Sequence, residues 1–158
     1  GGVCAAAIIG IFDNTLQSTL ALAAFIPVII GMGGNIGTQT STLVVRGLAT
    51  GRVNVGNNIN IIFKEIRVGL ILGILYGLLL GLFAIMSFVD ISPYLGLVVG
   101  LGIACSMLIA TAFGSLVPLL LHRMDIDPAI ATGPFVTTSI DILGVTLYFV
   151  IANIFLPV

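Results

Sequence analysis

Asp141 is the only charged side chain between Pro128 and Val158. Its surroundings, GPFVTTSIDILGVTLYFVIANIFL, are long and apolar enough to cross a bilayer as one helix. A carboxylate at membrane depth costs several kcal/mol, about +3 on insertion scales, so it normally faces a partner, a cavity or an ion path. Ionised, Asp141 presents an anion to a cavity; protonated, it donates a hydrogen bond to Thr138, Asn35 or Gln39. Gly133, Thr137 and Asp141 are spaced by four, with Gly144 and Tyr148 close to the same stripe. Helical geometry stacks such positions, so one face offers a small residue, a hydroxyl or carbonyl oxygen, and a carboxylate.

A second segment, FIPVIIGMGGNIGTQTSTLVVRG, gathers Pro27, Gly31, Gly33, Gly34 and Gly37, then Asn35, Thr38, Gln39, Thr40, Ser41 and Thr42. Proline and clustered glycine are expected to free backbone carbonyls, which membranes tolerate only in protein or beside water. Freed carbonyls with an Asn and a Gln are hard oxygen ligands, suited to Mg²⁺ or Ca²⁺ rather than to softer metals. The alternative is a kinked, tightly packed helix whose polar side chains bond to neighbouring helices.

The elements that must position these groups follow from composition. The chain has 158 residues, 59% of them hydrophobic and 7% charged, with a mean hydropathy of +1.29. Such a chain has too little polar surface for an ordinary soluble domain. A net charge of −1 excludes the basic footprint that nucleic acid requires. Cys4 and Cys105 lie in apolar segments without Cys-x-x-Cys or Cys/His spacing, which predicts small buried side chains rather than a disulfide or metal site. No basic n-region of a secretory signal is present.

The apolar blocks predict an all-α integral membrane fold with five crossings. They cover residues 1–12, Thr19 to Val45, Ile59 to Val89, Ser92 to Leu121, and 128–156. The first block is too short to span alone, so a preceding segment is expected. The fourth starts with Ser92 as cap and Pro93 at the first helical position, the fifth with Asp127 and Pro128. Arg46, Arg52, Lys64 and Arg67 flank the connector between the second and third spans, and Arg123 lies between the fourth and fifth. The connectors near Asp13 and Asp90 carry no Lys or Arg. By the positive-inside rule the N-terminus is cytoplasmic and the C-terminus outside, in a plasma or inner membrane.

Gly69, Gly73, Gly77 and Gly81 recur every four residues in the third span, and Gly96, Gly100 and Ala104 repeat the pattern in the fourth. In lipid, small residues so spaced let backbones approach, which favours packing over a glycine-lined pore. One Asp per chain cannot compensate a divalent cation. A two-fold axis, the commonest symmetry, would bring two copies of Asp141 together around one hydrated M²⁺. No ATP motif is present, and none is needed. A divalent cation gains on the order of 4–5 kcal/mol per 100 mV moving into a negative-inside cell.

The run Phe25-Ile26-Pro27 through Gly33-Gly34-Asn35-Ile36-Gly37-Thr38-Gln39, closed by Arg46-Gly47, resembles the transmembrane domain of MgtE-type magnesium channels. Gly133-Pro134 and Asp141 look like that family's last helix, and the resemblance covers nearly the whole chain. It implies a homodimeric five-helix Mg²⁺ channel, its first helix partly truncated here, with the pore at the dimer interface. It further implies that Asp141 and the backbone carbonyl of Thr137 recognise the hydrated ion. The pore lining would include Asn35 and Gly34, with Thr38, Gln39, Gly133 and Thr138 beside them. The family's cytoplasmic N domain and paired CBS domains have no counterpart in these 158 residues.

The sequence leaves Mn²⁺, Co²⁺ and Ca²⁺ open beside Mg²⁺ as cargo. A proton-coupled transporter using Asp141 as carrier is the runner-up. An intramembrane aspartyl protease wants two carboxylates sharing a proton, and a single deep Asp disfavours it. Asp125 and Asp127 could attract cations to the inner mouth, but capping explains Asp127. Asp13 reads as a solvated turn, His122 as interfacial, and Lys64 with Glu65 as headgroup anchors.

Overall fold

The computed structural model describes residues 2–53, 58–88 and 92–156, and every regular element among them is helical. In chain order these are α1 (Gly2–Ile11), α2 (Asp13–Ser18), α3 (Ala21–Ala49), α4 (Asn58–Ser87), α5 (Leu95–Arg123), a 3₁₀ turn (Pro128–Thr132) and α6 (Pro134–Phe155). α3 to α6 are each long and apolar enough to cross a bilayer, and α1 is apolar but short. The all-helical membrane architecture expected from composition is the one observed. Val89, the end of the expected third span, and Asp90 in the connector after it lie outside the described residues.

Four boundaries differ from those the sequence suggests. The connector at Asp13 is a short helix, held by a 2.6 Å hydrogen bond from Gln17 Nε2 to Asp13 Oδ2 one turn away. α3 continues to Ala49, past Val45. Ser92 and Pro93 form a turn before α5: Ser92 Oγ accepts from the Tyr94 amide at 3.3 Å, and the helix begins at Leu95. The block 128–156 is two elements. Asp127 does cap, accepting from the Ala129 amide at 2.9 Å, but it caps the 3₁₀ turn. Pro134 disfavours helical backbone at the residue before it, and Gly133 is extended there (φ −112°, ψ −151°). α6 therefore starts at Pro134.

α5 is the central helix, packed against α3, α4, α6 and the 3₁₀ turn. α4 lies on its outer side, where the glycine repeat brings two backbones together. A Cβ on Gly77 would stand 2.6 Å from the Gly100 carbonyl oxygen, and one on Gly81 2.7 Å from that of Gly96. The small-residue stripes are thus a packing seam, as read from their spacing. α4 otherwise exposes Leu70, Ile71, Leu78, Leu79 and Leu82. At 30 residues it exceeds a bilayer core, which leaves room for exposed Lys64 and Arg67 in turns outside the hydrocarbon.

Two buried clusters hold α3, α5 and α6 together. The larger joins Leu22, Phe25 and Ile29 to Val99, Ile103 and Met107 and to Val145, Tyr148 and Phe149. The smaller gathers Ala110, Ala131, Val136 and Ile140 around the 3₁₀ turn. Ser41, fully buried on α3, donates to the Ala131 carbonyl at 3.0 Å and fixes that turn to the bundle. At the other end Phe12 stacks on Phe149, and Thr15 hydrogen-bonds Asn153, which docks α1 and α2 on α6. Cys105 is half-buried. Cys4 is exposed on α1, contrary to expectation, because α6 covers only one side of that helix; both thiols are free.

Candidate functional site

The glycine-rich segment of α3 is not broken. Helix runs without interruption from Ala21 to Ala49, through Pro27 and the run Gly31 to Gly37. The expectation of carbonyls freed by helix breaking is corrected over Gly31–Gly37; within α3 only Pro27 withholds an amide, from the carbonyl four residues back. Nearby, the Tyr148 hydroxyl on α6 donates to the Leu22 carbonyl at 3.2 Å, in the turn that Pro27 loosens.

The glycines let other elements approach instead. A Cβ on Gly37 would collide with Cδ1 of Ile140 on α6. From α5, a Cβ on Gly114 would lie 2.6 Å from the Gly37 carbonyl oxygen. α3 therefore fits closely against both α5 and α6.

Gly34 is where α3 meets the carboxylate. A Cβ there would lie 3.6 Å from Asp141 Oδ1 and 4.0 Å from Thr137 Cγ2, both ordinary contacts. Backbone of α3 and carboxylate of α6 thus stand side by side, with Thr137 one turn before Asp141. Thr38, one turn beyond Gly34, is half-buried and donates its hydroxyl to the Gly34 carbonyl at 2.8 Å. Thr137 donates to the Pro134 carbonyl at 3.2 Å. Asp141, Thr137 and Thr138 are all half-exposed. Among the described residues Asp141 makes no ion pair and no hydrogen bond, including none to Thr138, Asn35 or Gln39.

Not every candidate joins this contact. Asn35 and Gln39, four apart on α3, are exposed on the protomer surface with Gly31 and Thr42, and neither makes a side-chain hydrogen bond among the described residues. Gly133 is half-buried at the N-terminal cap of α6, and open space surrounds the position of a Cβ there. The stripe inferred on α6 divides. Asp141 and Thr137 face Gly34, whereas Gly144 and Tyr148 are buried toward α5. The sequence reading passed over Ser106 and Ile140, which contact the glycines of α3; a single Ser in an apolar helix and a single Ile give no periodic signal.

Among the described residues no group of three or more His, Cys, Asp or Glu is placed to hold a metal. Asp141 is thus a lone carboxylate with neutral groups around it.

Comparison with known proteins identifies the family. The family model MgtE, described as divalent cation transporter, matches residues 26–151. The chain belongs to the MgtE family. Over 155 residues it is 36% identical to the magnesium transporter MgtE of Bacillus subtilis, covering 98% of this chain and 34% of that protein. Similar relatives are the magnesium transporters MgtE of Enterococcus faecalis (35% over 158 residues) and Thermus thermophilus (35% over 156 residues). Each alignment likewise covers 98% of this chain and 34% of the relative. The chain therefore spans about a third of the length of the curated relatives it matches. The matched stretch holds both halves of the contact, Gly34 with Thr38 on α3 and Thr137 with Asp141 on α6. The chain is a multi-pass membrane protein of this family.

Proposed function

We propose that this MgtE chain forms the ion path of a magnesium transporter. Two copies meet along the α3 and α6 faces, and the pair of Asp141 carboxylates holds one hydrated Mg²⁺. One observation carries the reading. The only charge on α6 stands beside Gly34, and the neighbouring face of α3 exposes Asn35 and Gln39 where one protomer covers neither. Uncovered amides at bilayer depth need protein or water against them. A second copy across a water-filled path supplies both.

The chemistry is outer-sphere recognition. Mg²⁺ gives up its waters reluctantly, so the groups that select it accept hydrogen bonds from its hydration shell. Each protomer offers the Asp141 carboxylate and the Thr137 carbonyl, with Gly34, Thr38 and the Asn35 and Gln39 amides lining the approach. Thr138 and Gly133 flank this lining. Two carboxylates balance the dication, and Mg²⁺ is cargo rather than a resident cofactor. Mn²⁺, Co²⁺ and Ca²⁺ meet the same oxygen ligands. With Arg46, Arg52, Lys64, Arg67 and Arg123 on the cytoplasmic side, the N-terminus is inside and the potential drives Mg²⁺ inward.

The test is Mg²⁺ uptake into proteoliposomes by the wild type and Asp141→Asn, with a potential imposed and no pH gradient. Uptake should follow the potential and fall by about 10–100-fold in the variant, the usual cost of losing a group that orients a metal's shell. Undiminished uptake by folded Asp141→Asn would refute the role of Asp141. Flux that tracks an imposed pH gradient instead would make the protein a proton-coupled transporter.

A further inference from the structure

Ser106 on α5 touches both helices that carry the candidate ion path, and no function has so far been attached to it. It is 2% exposed, and its Oγ is the one buried side-chain N or O atom among the described residues without a hydrogen-bond partner. Other hydroxyls on α5 behave differently. Thr111 and Ser115 donate back to the carbonyls of Met107 and Thr111 on their own helix, the usual solution in an apolar helix. Ser106 Oγ instead points between α3 and α6. It lies 2.7 Å from the position of a Cβ on Gly33 and 2.9 Å from that of a Cβ on Gly144. Real Cβ atoms essentially never come that close to another atom. The hydroxyl thus occupies a notch that exists only because both partners are glycine.

The notch adjoins the ion site on both sides. Gly33 directly precedes Gly34, which stands against Asp141, and Gly144 lies one turn after Asp141 on α6. An oxygen that makes no bond acts by its size and place. We propose that Ser106 is a positioning residue for the ion site, a wedge that sets how closely α3 and α6 stand at Gly34 and Asp141. The inference rests on the reading of Asp141 as the ion-recognising residue.

The geometry supplies a rescue test. In Gly144→Ala the new methyl is crowded only by Ser106 Oγ, since its other neighbours, Ile29 Cγ2 and Ser106 Cβ, lie at 3.6 Å. Removing that oxygen with Ser106→Ala leaves ordinary contacts. The full-length protein is reconstituted as wild type, Gly144→Ala, Ser106→Ala, the double variant and Asp141→Asn. Uptake is measured against Mg²⁺ concentration, and thermal unfolding alongside it. Gly144→Ala should raise the half-saturating Mg²⁺ concentration about tenfold, and the double variant should return to within about twofold of wild type.

A half-saturation unchanged in Gly144→Ala, with only the maximal rate or melting temperature altered, would make the notch mere packing and overturn the inference. So would a double variant no better than Gly144→Ala. If Gly144→Ala does not fold, Ser106→Cys crowds the same notch with a larger atom; it should raise half-saturation likewise, and no change in the folded protein refutes the wedge. Unchanged uptake in Asp141→Asn fells the ion-site reading and this inference together. Loss in Asp141→Asn without rescue fells this inference alone.

Discussion

Substituting Gly34 tests whether α3 backs the Asp141 carboxylate, because the contact has a measurable tolerance. A Cβ at Gly34 would lie 3.6 Å from Asp141 Oδ1, and ordinary contact begins at 3.4 Å, so a methyl fits with about 0.2 Å to spare. Gly34→Ala should therefore fold and unfold at or slightly above the wild-type temperature, since Ala is favoured over Gly in a helix interior by about 1 kcal/mol. Valine differs. Its γ carbons extend about 1.5 Å further, so one can reach within about 2.1 Å of the oxygen. Two of the three staggered positions on Cβ are filled, and helix restricts valine largely to one rotamer. Either Asp141 swings away or the helices part, at about 1–3 kcal/mol for overpacking, less the few tenths regained by replacing Gly. Melting in detergent should fall by about 2–8 °C. Uptake in proteoliposomes should fall by about 10–100-fold, because the displaced carboxylate no longer meets the ion's hydration shell. A folded Gly34→Val protein with wild-type uptake would refute the argument that the Gly34–Asp141 contact belongs to the ion path.

Two further perturbations probe the frame around the site. Gly77→Ala sets a methyl 2.6 Å from the Gly100 carbonyl, where only movement of α4 away from α5 relieves it; unfolding should show a loss of about 1–3 kcal/mol. Gly10→Ala, on α1 and with nothing within 4 Å of its Cβ, is the matched control and should show no such loss. Tyr148→Phe removes the 3.2 Å bond to the Leu22 carbonyl and should cost about 0.5–1.5 kcal/mol in thermal unfolding while Mg²⁺ uptake persists. Unchanged melting would mean that the bond contributes nothing to joining α3 and α6.

Much of the fold was legible because long apolar runs and every-fourth glycines report on one helix and its nearest neighbour. The Gly69–Gly81 stripe predicted a close seam, and the seam is there. The failures came where two local signals compete. Asp127-Pro128 is a genuine capping signal, but Pro134, six residues on, constrains Gly133 and splits the block in two. Ser92-Pro93 begins a turn rather than a helix for a similarly local reason. Glycine in α3 is ambiguous in another way. Its composition says that backbone is bare, not whether the helix opens or a neighbour closes in. That distinction belongs to the partner residues, Ile140, Ser106 and Gly114, on helices remote in sequence.

The candidate site was legible in part for the same reason. Asp141 could be singled out alone, because a charge in an apolar helix is anomalous without reference to anything else. Its pairing with Gly34 rests on a contact between helices separated by more than a hundred residues. The outward face of α3 extends the argument. Asn35 and Gln39 on the surface of a soluble domain would need no explanation, since water would satisfy them. In a helix that crosses a bilayer, the same exposure leaves amides facing hydrocarbon, at a cost of several kcal/mol each on water-to-hydrocarbon scales. A single copy of this MgtE chain thus leaves amides uncovered along the face beside Asp141, the only charge on α6. The proposed second copy and hydrated ion account for both features at once, because the surface that lacks a protein partner is also the surface that offers oxygens to a hydrated cation.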